Sequence, residues 1–366
     1  VETYKKNRNC RKHRREQTVK EDSEFYESMY GVNPLHHVNY RFMCYQTAHK
    51  KQLDEIFGME CNRSNTLVVM DECHQILSPV YFNFVENNLL GKNIPCIGLS
   101  ATIDGDREFE YKGVMTTKLE MLNLFCPIIF KYTLNQSWEN ETSRKLKFYI
   151  INHQLDGKSK NIEAGKKGAR FMTTEYAMYD WLEKNFRKSL FLPKSDKKDF
   201  MVRNAASARA RFLYSLPSKI PLCQELLSKL DTRTILFGNS VESLLQITPN
   251  CITSHNSTEK NNEILSNFQT GKIDVIGSFK MLEQGANLSG LDNIIMHSYY
   301  GKTKSLIQRL GRARRKGDEL GHVFIIVTKG TQELSWFNSM TEDLDFDVVQ
   351  CDSASEAISK YYENKG

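Results

Sequence analysis

Asp71 and Glu72 are adjacent carboxylates placed where the short apolar run Thr66–Met70 ends, and His74 follows two residues later. That run is β-branched at several positions and lacks clean alternation, as expected for a central parallel strand covered on both faces. In open α/β sheets, ligands collect at the carboxyl ends of strands. An Asp there can hold Mg²⁺ through water, and an adjacent Glu can orient and deprotonate the water that attacks a γ-phosphate. The pair therefore predicts magnesium-assisted ATP hydrolysis, although an Asp-Glu pair after an apolar run is weak evidence until other residues join it. Ile97-Gly98-Leu99-Ser100-Ala101-Thr102 is a second buried run that ends in small hydroxyl residues. Ser100 and Thr102 can hydrogen-bond to the Asp-Glu-x-His segment and couple nucleotide state to lobe position; a plain strand-end turn is the bland alternative.

The third group is Ser305-Leu-Ile-Gln-Arg-Leu-Gly-Arg-Ala-Arg-Arg315. On a helix, Gln308, Arg312 and Arg315 fall at i, i+4 and i+7 on one polar face, while Leu306, Leu310 and Ala313 form an apolar one. Gly311 in mid-helix costs about 1 kcal/mol against Ala, which points to a close approach. Forked guanidiniums on one stripe suit phosphoryl oxygens and the charge that develops in transfer. A merely solvated basic helix would not need the Gln, the Gly and the separate apolar face.

Positioning these groups requires alternating strands and helices. Tyr40–Tyr45 reads as a strand, Lys50–Phe57 as a helix, Thr66–Met70 as a strand, Val80–Leu90 as a helix and Ile94–Leu99 as a strand. A second alternating block runs from about Ile220 to Val327, with strands at Thr234–Phe237, Ile273–Ser278, Asn293–His297 and His322–Val327. Such alternation predicts parallel βαβ units, hence two α/β lobes. Between them, Lys158–Lys167 is Gly- and Lys-rich and reads as an exposed turn or linker. Tyr176–Phe186 reads as an amphipathic helix. Lys184–Arg211 is dense in Lys and Arg, with Phe186, Phe191, Phe200 and Phe212 interleaved. That mix can track a phosphate backbone and stack bases, with Lys194, Lys197 and Lys198 as candidate contacts. Equally, it can be a solvated face over a small aromatic core.

A chain of 366 residues has the length for two domains with real cores. No apolar run approaches the roughly 18 residues that span a bilayer, and the basic start, Lys5 to Arg15, has no following apolar region. The net charge of +6 favours polyanions only mildly. Nine cysteines without a Cys-x-x-Cys pair fit free thiols in a reducing cytosol better than a zinc ribbon. Asn-, Lys- and Tyr-rich usage fits an AT-rich genome, such as that of a phage in a bacterial host.

Asp71-Glu72-Cys73-His74, Ser100-Ala101-Thr102 and Gln308-Arg309-Leu310-Gly311-Arg312-Ala313-Arg314-Arg315 match in order and spacing motifs II, III and VI of superfamily 2 helicases. Leu282–Ser289 resembles motif V, Ile235-Leu236-Phe237 the strand of motif IV, and Tyr45-Gln46-Thr47 the nucleic-acid-contacting motif Ib. The chain thus resembles the DExH-box helicases, and most of all their XPB and UvsW-like branch, whose tail Gly330-Thr331-Gln332-Glu333 is similar to. The resemblance implies two RecA-like lobes closing on ATP and Mg²⁺, with a nucleic-acid strand crossing both. It gives Asp71 the magnesium, Glu72 the attacking water, His74 a hydrogen bond toward Gln308, and Arg312 and Arg315 the phosphates. Thr47, Ser278 and Gly285 become backbone-contacting positions.

Two departures stand out. No Gly-x-x-x-x-Gly-Lys-Thr/Ser loop precedes Tyr45; the expectation is that it belongs upstream of Val1. Gly157-Lys158-Ser159 and Gly301-Lys302-Thr303 are decoys, the first lacking both the leading Gly and a suitable strand, the second opening the motif VI helix. In motif V, Gln284 and Asn287 stand where the family usually has an acidic residue and Asp. The expected organisation is a RecA-like lobe over 1–136, a linker with a basic helical insertion over 137–218, a second RecA-like lobe over 219–330, and a tail over 331–366. The expected function is an ATP-dependent DNA helicase or translocase on forked or branched DNA, in repair or recombination. The alternatives are an RNA helicase, a non-hydrolysing nucleic-acid clamp, or the motor subunit of a larger assembly.

Overall fold

The computed structural model describes residues 41–100, 108–132, 136, 139–140, 145–166, 168–279, 291–299, 320–341 and 347–365. The chain divides into two compact units, Val1–Lys131 and Tyr132–Gly366.

In the first unit, helices α1 (Tyr45–Ala48) and α2 (Leu53–Phe57) precede strand β1 (Val68–Asp71). Helix α3 (Pro79–Phe84) continues into a π-helical turn over Val85–Leu90 before β2 (Cys96–Leu99). Strands β1 and β2 pair in parallel, with Asp71 opposite Leu99. Strands β3 (Glu108–Tyr111) and β4 (Val114–Thr117) form an antiparallel hairpin that feeds α4 (Lys118–Asn123). Leu53, Met70, Cys73, Leu77, Phe82 and Val85 are the heart of this unit's core.

Two expectations change here. The Tyr40–Tyr45 strand is absent: residues 41–44 have no regular structure and Tyr45 starts a single helical turn. Side-chain contacts hold Tyr45, its hydroxyl donating to the Asp71 carbonyl at 2.6 Å and its ring stacking on Tyr81 at 6.3 Å. The Val80–Leu90 helix is not uniform. Asn88 is buried; its amide donates to the Phe84 carbonyl and its oxygen accepts from the Leu53 N–H at 2.8 Å. Such π-turns interrupt α-helices where a local demand outweighs regular bonding.

The second unit is built on a seven-stranded parallel sheet. Its strands are β5 (Leu146–His153), β8 (Thr234–Phe237), β9 (Cys251–Ile252), β10 (Val275–Ser278), β11 (Asn293–Met296), β12 (Gly321–Thr328) and β13 (Asp347–Cys351), in the order β13-β5-β12-β11-β8-β10-β9. The α/β class and parallel pairing expected from the sequence hold. Successive residues of a strand serve opposite faces. Phe148, Ile150, Ile235, Phe237, Val323 and Ile325 build one core layer; Tyr149, Ile151, Leu236, Phe324 and Ile326 build the other. A sheet covered on both sides needs unbroken apolar runs, which is why these strands do not alternate in sequence.

Strand β5 lies in the stretch read as linker and insertion, yet it pairs along its whole length with β12 and over five residues with β13. The Gly- and Lys-rich stretch is likewise a hairpin, β6 (Ile162–Lys166) against β7 (Ala169–Thr173). Gly165, at φ +99°, is required there, because a Cβ would fall 2.2 Å from the Ala169 carbonyl oxygen. Two long helices follow, α5 (Glu175–Leu190) and α6 (Asp196–Tyr214), capped by Thr174 and Ser195. Helices α7 (Lys219–Lys229), α8 (Val241–Ile247), α9 (Thr258–Gln269), α10 (Gln332–Thr341) and α11 (Ala354–Lys365) are the other helices among the described residues of this unit.

Buried polar groups join the carboxyl ends of β5, β11 and β12. Lys219 and Glu333, both fully buried, pair at 2.6 and 2.7 Å, and Glu333 also accepts the Thr328 N–H at 3.0 Å. Glu175 accepts the Ser218 N–H at 2.9 Å and the Ser218 hydroxyl at 2.6 Å. With that hydroxyl proton committed, His153 Nε2, 2.8 Å from Ser218 Oγ, acts as donor, and its Nδ1 sits 3.1 Å from Thr328 Oγ1. His297, after β11, is fully buried, and neither of its ring nitrogens has a hydrogen-bond partner among the described residues. Burial, then the Lys219 charge, depresses the His153 and His297 imidazoles to about 3.

Candidate nucleotide site and nucleic-acid surface

Strand β1 delivers Asp71 as its last residue, with an exposed side chain. Glu72 then adopts φ 51°, ψ 47°, a left-handed conformation that costs a non-glycine residue on the order of 1–2 kcal/mol. That kink turns the chain into the 3₁₀ turn Cys73–Gln75 and brings His74 Nδ1 to 3.1 Å from Glu72 Oε2. The same nitrogen lies 2.9 Å from Ser100 Oγ, so one imidazole ties the turn after β1 to the end of β2. Both His74 and Glu72 are partly exposed, at 14% and 24%.

The support is packed closely. Gly98, opposite Met70, has no side chain where a Cβ would meet the Cys73 and Cys126 sulfurs at 3.1 Å each. Burial, followed by the charges of Cys73, Asp71 and Glu72, holds the Tyr45 hydroxyl well above its usual range, so it remains the donor to the Asp71 carbonyl. Burial and then Cys126 push the Cys96 thiol up to about 12. These thiols are packing groups and not nucleophiles. Tyr45 is the residue of this site whose role the sequence left unread: its hydroxyl reaches Asp71 across 26 positions.

The Asp71 carboxylate has no hydrogen-bond partner among the described residues, which fits a hydrated Mg²⁺ held through water. The decoy Gly157-Lys158-Ser159 does not fit a phosphate cradle. The Lys158 and Ser159 N–H groups both donate to Asp156 Oδ1, at 2.7 and 3.0 Å, and the Ser159 side chain, followed by these two N–H groups, holds the Asp156 carboxyl down to about 2. Backbone donors committed to a local carboxylate are unavailable to an anion.

The other sequence candidates scatter. Thr47 is exposed on α1, and its Oγ1 lies 3.2 Å from Cys44 Sγ. Ser278 is buried at the end of β10. Lys194 and Lys197 are exposed and Lys198 partly so, where α5 gives way to α6. Part of the aromatic interleaving is core: Arg209 lies 4.0 Å over the Phe186 ring, pairs with Glu183, and donates to Gln332 Oε1 at 2.9 Å. Phe191 and Phe200 are not, at 88% and 60% exposed. Thr102, Gly285, Gln308, Arg312 and Arg315 lie outside the described residues, as does the 301–303 decoy.

Residues 218–317 match the family described as helicase conserved C-terminal domain. The DNA 3'-5' translocase XPB2 of Sulfurisphaera tokodaii is 23% identical over 279 residues, covering 73% of this chain and 60% of that protein. The ATP-dependent DNA helicase fml1 of Schizosaccharomyces pombe is 28% identical over 80 residues, 22% of this chain and 9% of that one. The chain therefore spans about three fifths of the first relative and far less of the second. In fold, it is similar to S. cerevisiae Dbp5 bound to RNA and ADP BeF3, with a TM-score of 0.50 and 10% identity over 86% of this chain and 66% of that one. It is also similar to the ATP-dependent Type ISP restriction-modification enzyme LlaBIII bound to DNA, with a TM-score of 0.50 and 11% identity over 88% of this chain and 24% of that one. These likenesses bear out the RecA-like α/β reading.

Proposed function

We propose that this chain, a relative of superfamily 2 helicases, is the motor part of an ATP-driven DNA helicase or translocase acting on forked or branched duplexes. The observation that carries the reading is the Asp71–Glu72–His74–Ser100 geometry at the carboxyl ends of two paired parallel strands. The helicase C-terminal match over residues 218–317 supports it from the other unit. DNA is preferred because both sequence relatives are named for DNA, whereas the RNA-bound protein is alike in fold alone.

In this reading Asp71 holds Mg²⁺ through water, and the bound ion supplies neutralisation of phosphate charge. Glu72 orients a water and accepts its proton at the carboxylate. Ser100 fixes the His74 ring through the hydrogen bond at Nδ1, and the ring lies against the Glu72 carboxylate, so a change at the end of β2 is felt at Glu72. Arg312 and Arg315 are assigned to the phosphates, Gln308 to a hydrogen bond with His74, and Thr102 acts with Ser100. Thr47, Gly285, the backbone at Ser278, and Lys194, Lys197 and Lys198 are assigned to the nucleic-acid backbone, which such contacts grip without reading sequence.

The test is ATP hydrolysis without nucleic acid, with forked DNA, and with RNA of matching sequence. Stimulation by DNA, lost in Glu72→Gln while ATP binding persists, is the expected result. Turnover retained by Glu72→Gln removes the assigned role, and stimulation by RNA alone moves the substrate to RNA.

A further inference from the structure

The outward face of α5 carries an unusual combination. Ala177, Trp181, Lys184, Lys188 and Phe191 recur at spacings of four, three, four and three residues, which puts them on one stripe of the helix. All five are exposed, Trp181 by 56% and Phe191 by 88%, while Glu175, Tyr179, Leu182 and Ser189 on the opposite side are buried. The helix has its ordinary buried face inward, so core packing does not account for the outer one. A Trp and a Phe in one stripe of a solvent-facing helix expose far more apolar ring than isolated surface hydrophobes do.

Charge identifies what would cover the rings. Lys184–Arg211 holds nine Lys and Arg against two Asp, a net +7 in 28 residues, whereas the whole chain carries +6. Over both helices and the turn between them, residues 175–214, nine Lys and Arg stand against five acids, a net +4, and the acids Glu175 and Glu183 of α5 face inward or pair with Arg187 and Arg209, which leaves Lys184 and Lys188 on the outer stripe. Lys188 makes no ion pair among the described residues. Lys184 is paired with Asp180 at 2.6 Å, but that pair is largely exposed and holds the ammonium only weakly in place. The hairpin is also fixed, as nucleic-acid platforms require. Arg209 of α6 bridges Glu183 of α5 and Gln332 of α10, and the Gln332 N–H donates to the Tyr179 hydroxyl at 2.8 Å.

We infer that the outer stripe of α5 is a track for single-stranded nucleic acid, with bases stacking on Trp181 and Phe191 and phosphates meeting Lys184 and Lys188. The two aromatic positions lie ten residues apart, about 15 Å along the helix, room for a few unstacked nucleotides. Duplex does not satisfy this surface, because its bases are already stacked on one another. The inference rests on the nucleic-acid reading above but not on ATP hydrolysis.

The test uses the full chain and no ATP, following tryptophan fluorescence and the anisotropy of a labelled oligothymidylate. Single-stranded DNA quenches the fluorescence on binding; duplex of equal length quenches far less; heparin, a polyanion without bases, competes without quenching. Trp181→Phe removes the quench while keeping affinity within about twofold, since a ring remains to stack. Trp181→Ala and Phe191→Ala each weaken single-strand binding by about 5- to 150-fold, the range that one stacked base carries. Lys188→Glu weakens binding and reduces its salt slope by about one phosphate contact. Both Trp181 and Lys188 face solvent, so folding is not at stake. Unchanged affinity in Trp181→Ala, equal quenching by duplex, or a quench that survives in Trp181→Phe overturns the inference. If DNA-stimulated hydrolysis is absent while the Trp181-dependent quench remains, the motor reading falls and this one stands.

Discussion

The two buried imidazoles make the second unit sensitive to mild acid. His153 and His297 ordinarily titrate near 6.5 in an unfolded chain and near 3 in this fold. Between those values the unfolded chain binds a proton at each ring and the folded chain binds none, so stability falls as pH falls. From pH 7 to pH 5 each ring removes about 2 kcal/mol, and the pair about 4 kcal/mol. That is a large share of the 5–15 kcal/mol that ordinarily holds a fold together. Asp156, held down to about 2, stays charged throughout this window. Urea unfolding followed through the transition of the seven-stranded sheet gives the stability at each pH. Imidazole carbon NMR reads the folded rings directly and should show two that stay neutral at pH 5. His153→Asn loses the Ser218 and Thr328 contacts, so its absolute stability is uninformative. Its pH slope is the readout, expected to fall by about 1.4 kcal/mol per pH unit below the unfolded value. A loss of under about 1 kcal/mol over the window, or an unchanged slope in His153→Asn, would refute the reasoning.

Breaking the buried ion pair and removing it should differ. Lys219→Met leaves the Glu333 carboxylate buried with, among the described residues, only the Thr328 N–H, and should cost about 3–5 kcal/mol, whereas Lys219→Met with Glu333→Leu should recover much of that in urea midpoints. Equal losses in the single and double variants would mean that packing, not charge, dominates at this position. In the first unit, Gly98→Val places a branched side chain against the Cys73 and Cys126 sulfurs and should cost about 1–3 kcal/mol in thermal unfolding. Unaltered stability there would show that the strand can shift, and the Glu72–His74 geometry would be less constrained than it looks.

What could be read from the sequence were those elements whose own composition decides them. Ile235-Leu236-Phe237, Ile294-Ile295-Met296 and Val323–Val327 are unbroken apolar runs, and only a strand covered on both faces buries such a run fully. The carboxylates after β1 and the small hydroxyl after β2 were legible as strand-end groups for the same reason. Other features needed partners that no local window contains. Strand β5 belongs to the sheet because β12 and β13 accept its backbone from nearly 200 residues away, and nothing in Lys147 or Asn152 announces those neighbours. Tyr45 reads as strand by propensity, but its hydroxyl and ring find better partners in Asp71 and Tyr81 and the backbone coils instead. A helix over Tyr176–Phe186 was visible by its period, inside the observed Glu175–Leu190, yet periodicity alone cannot tell which aromatics face in: Tyr179 is buried and Trp181 is not. Spacing along the chain determined the chemistry on offer. The pairing of distant strands decided which of those groups meet, because burial and hydrogen bonding are satisfied only in three dimensions.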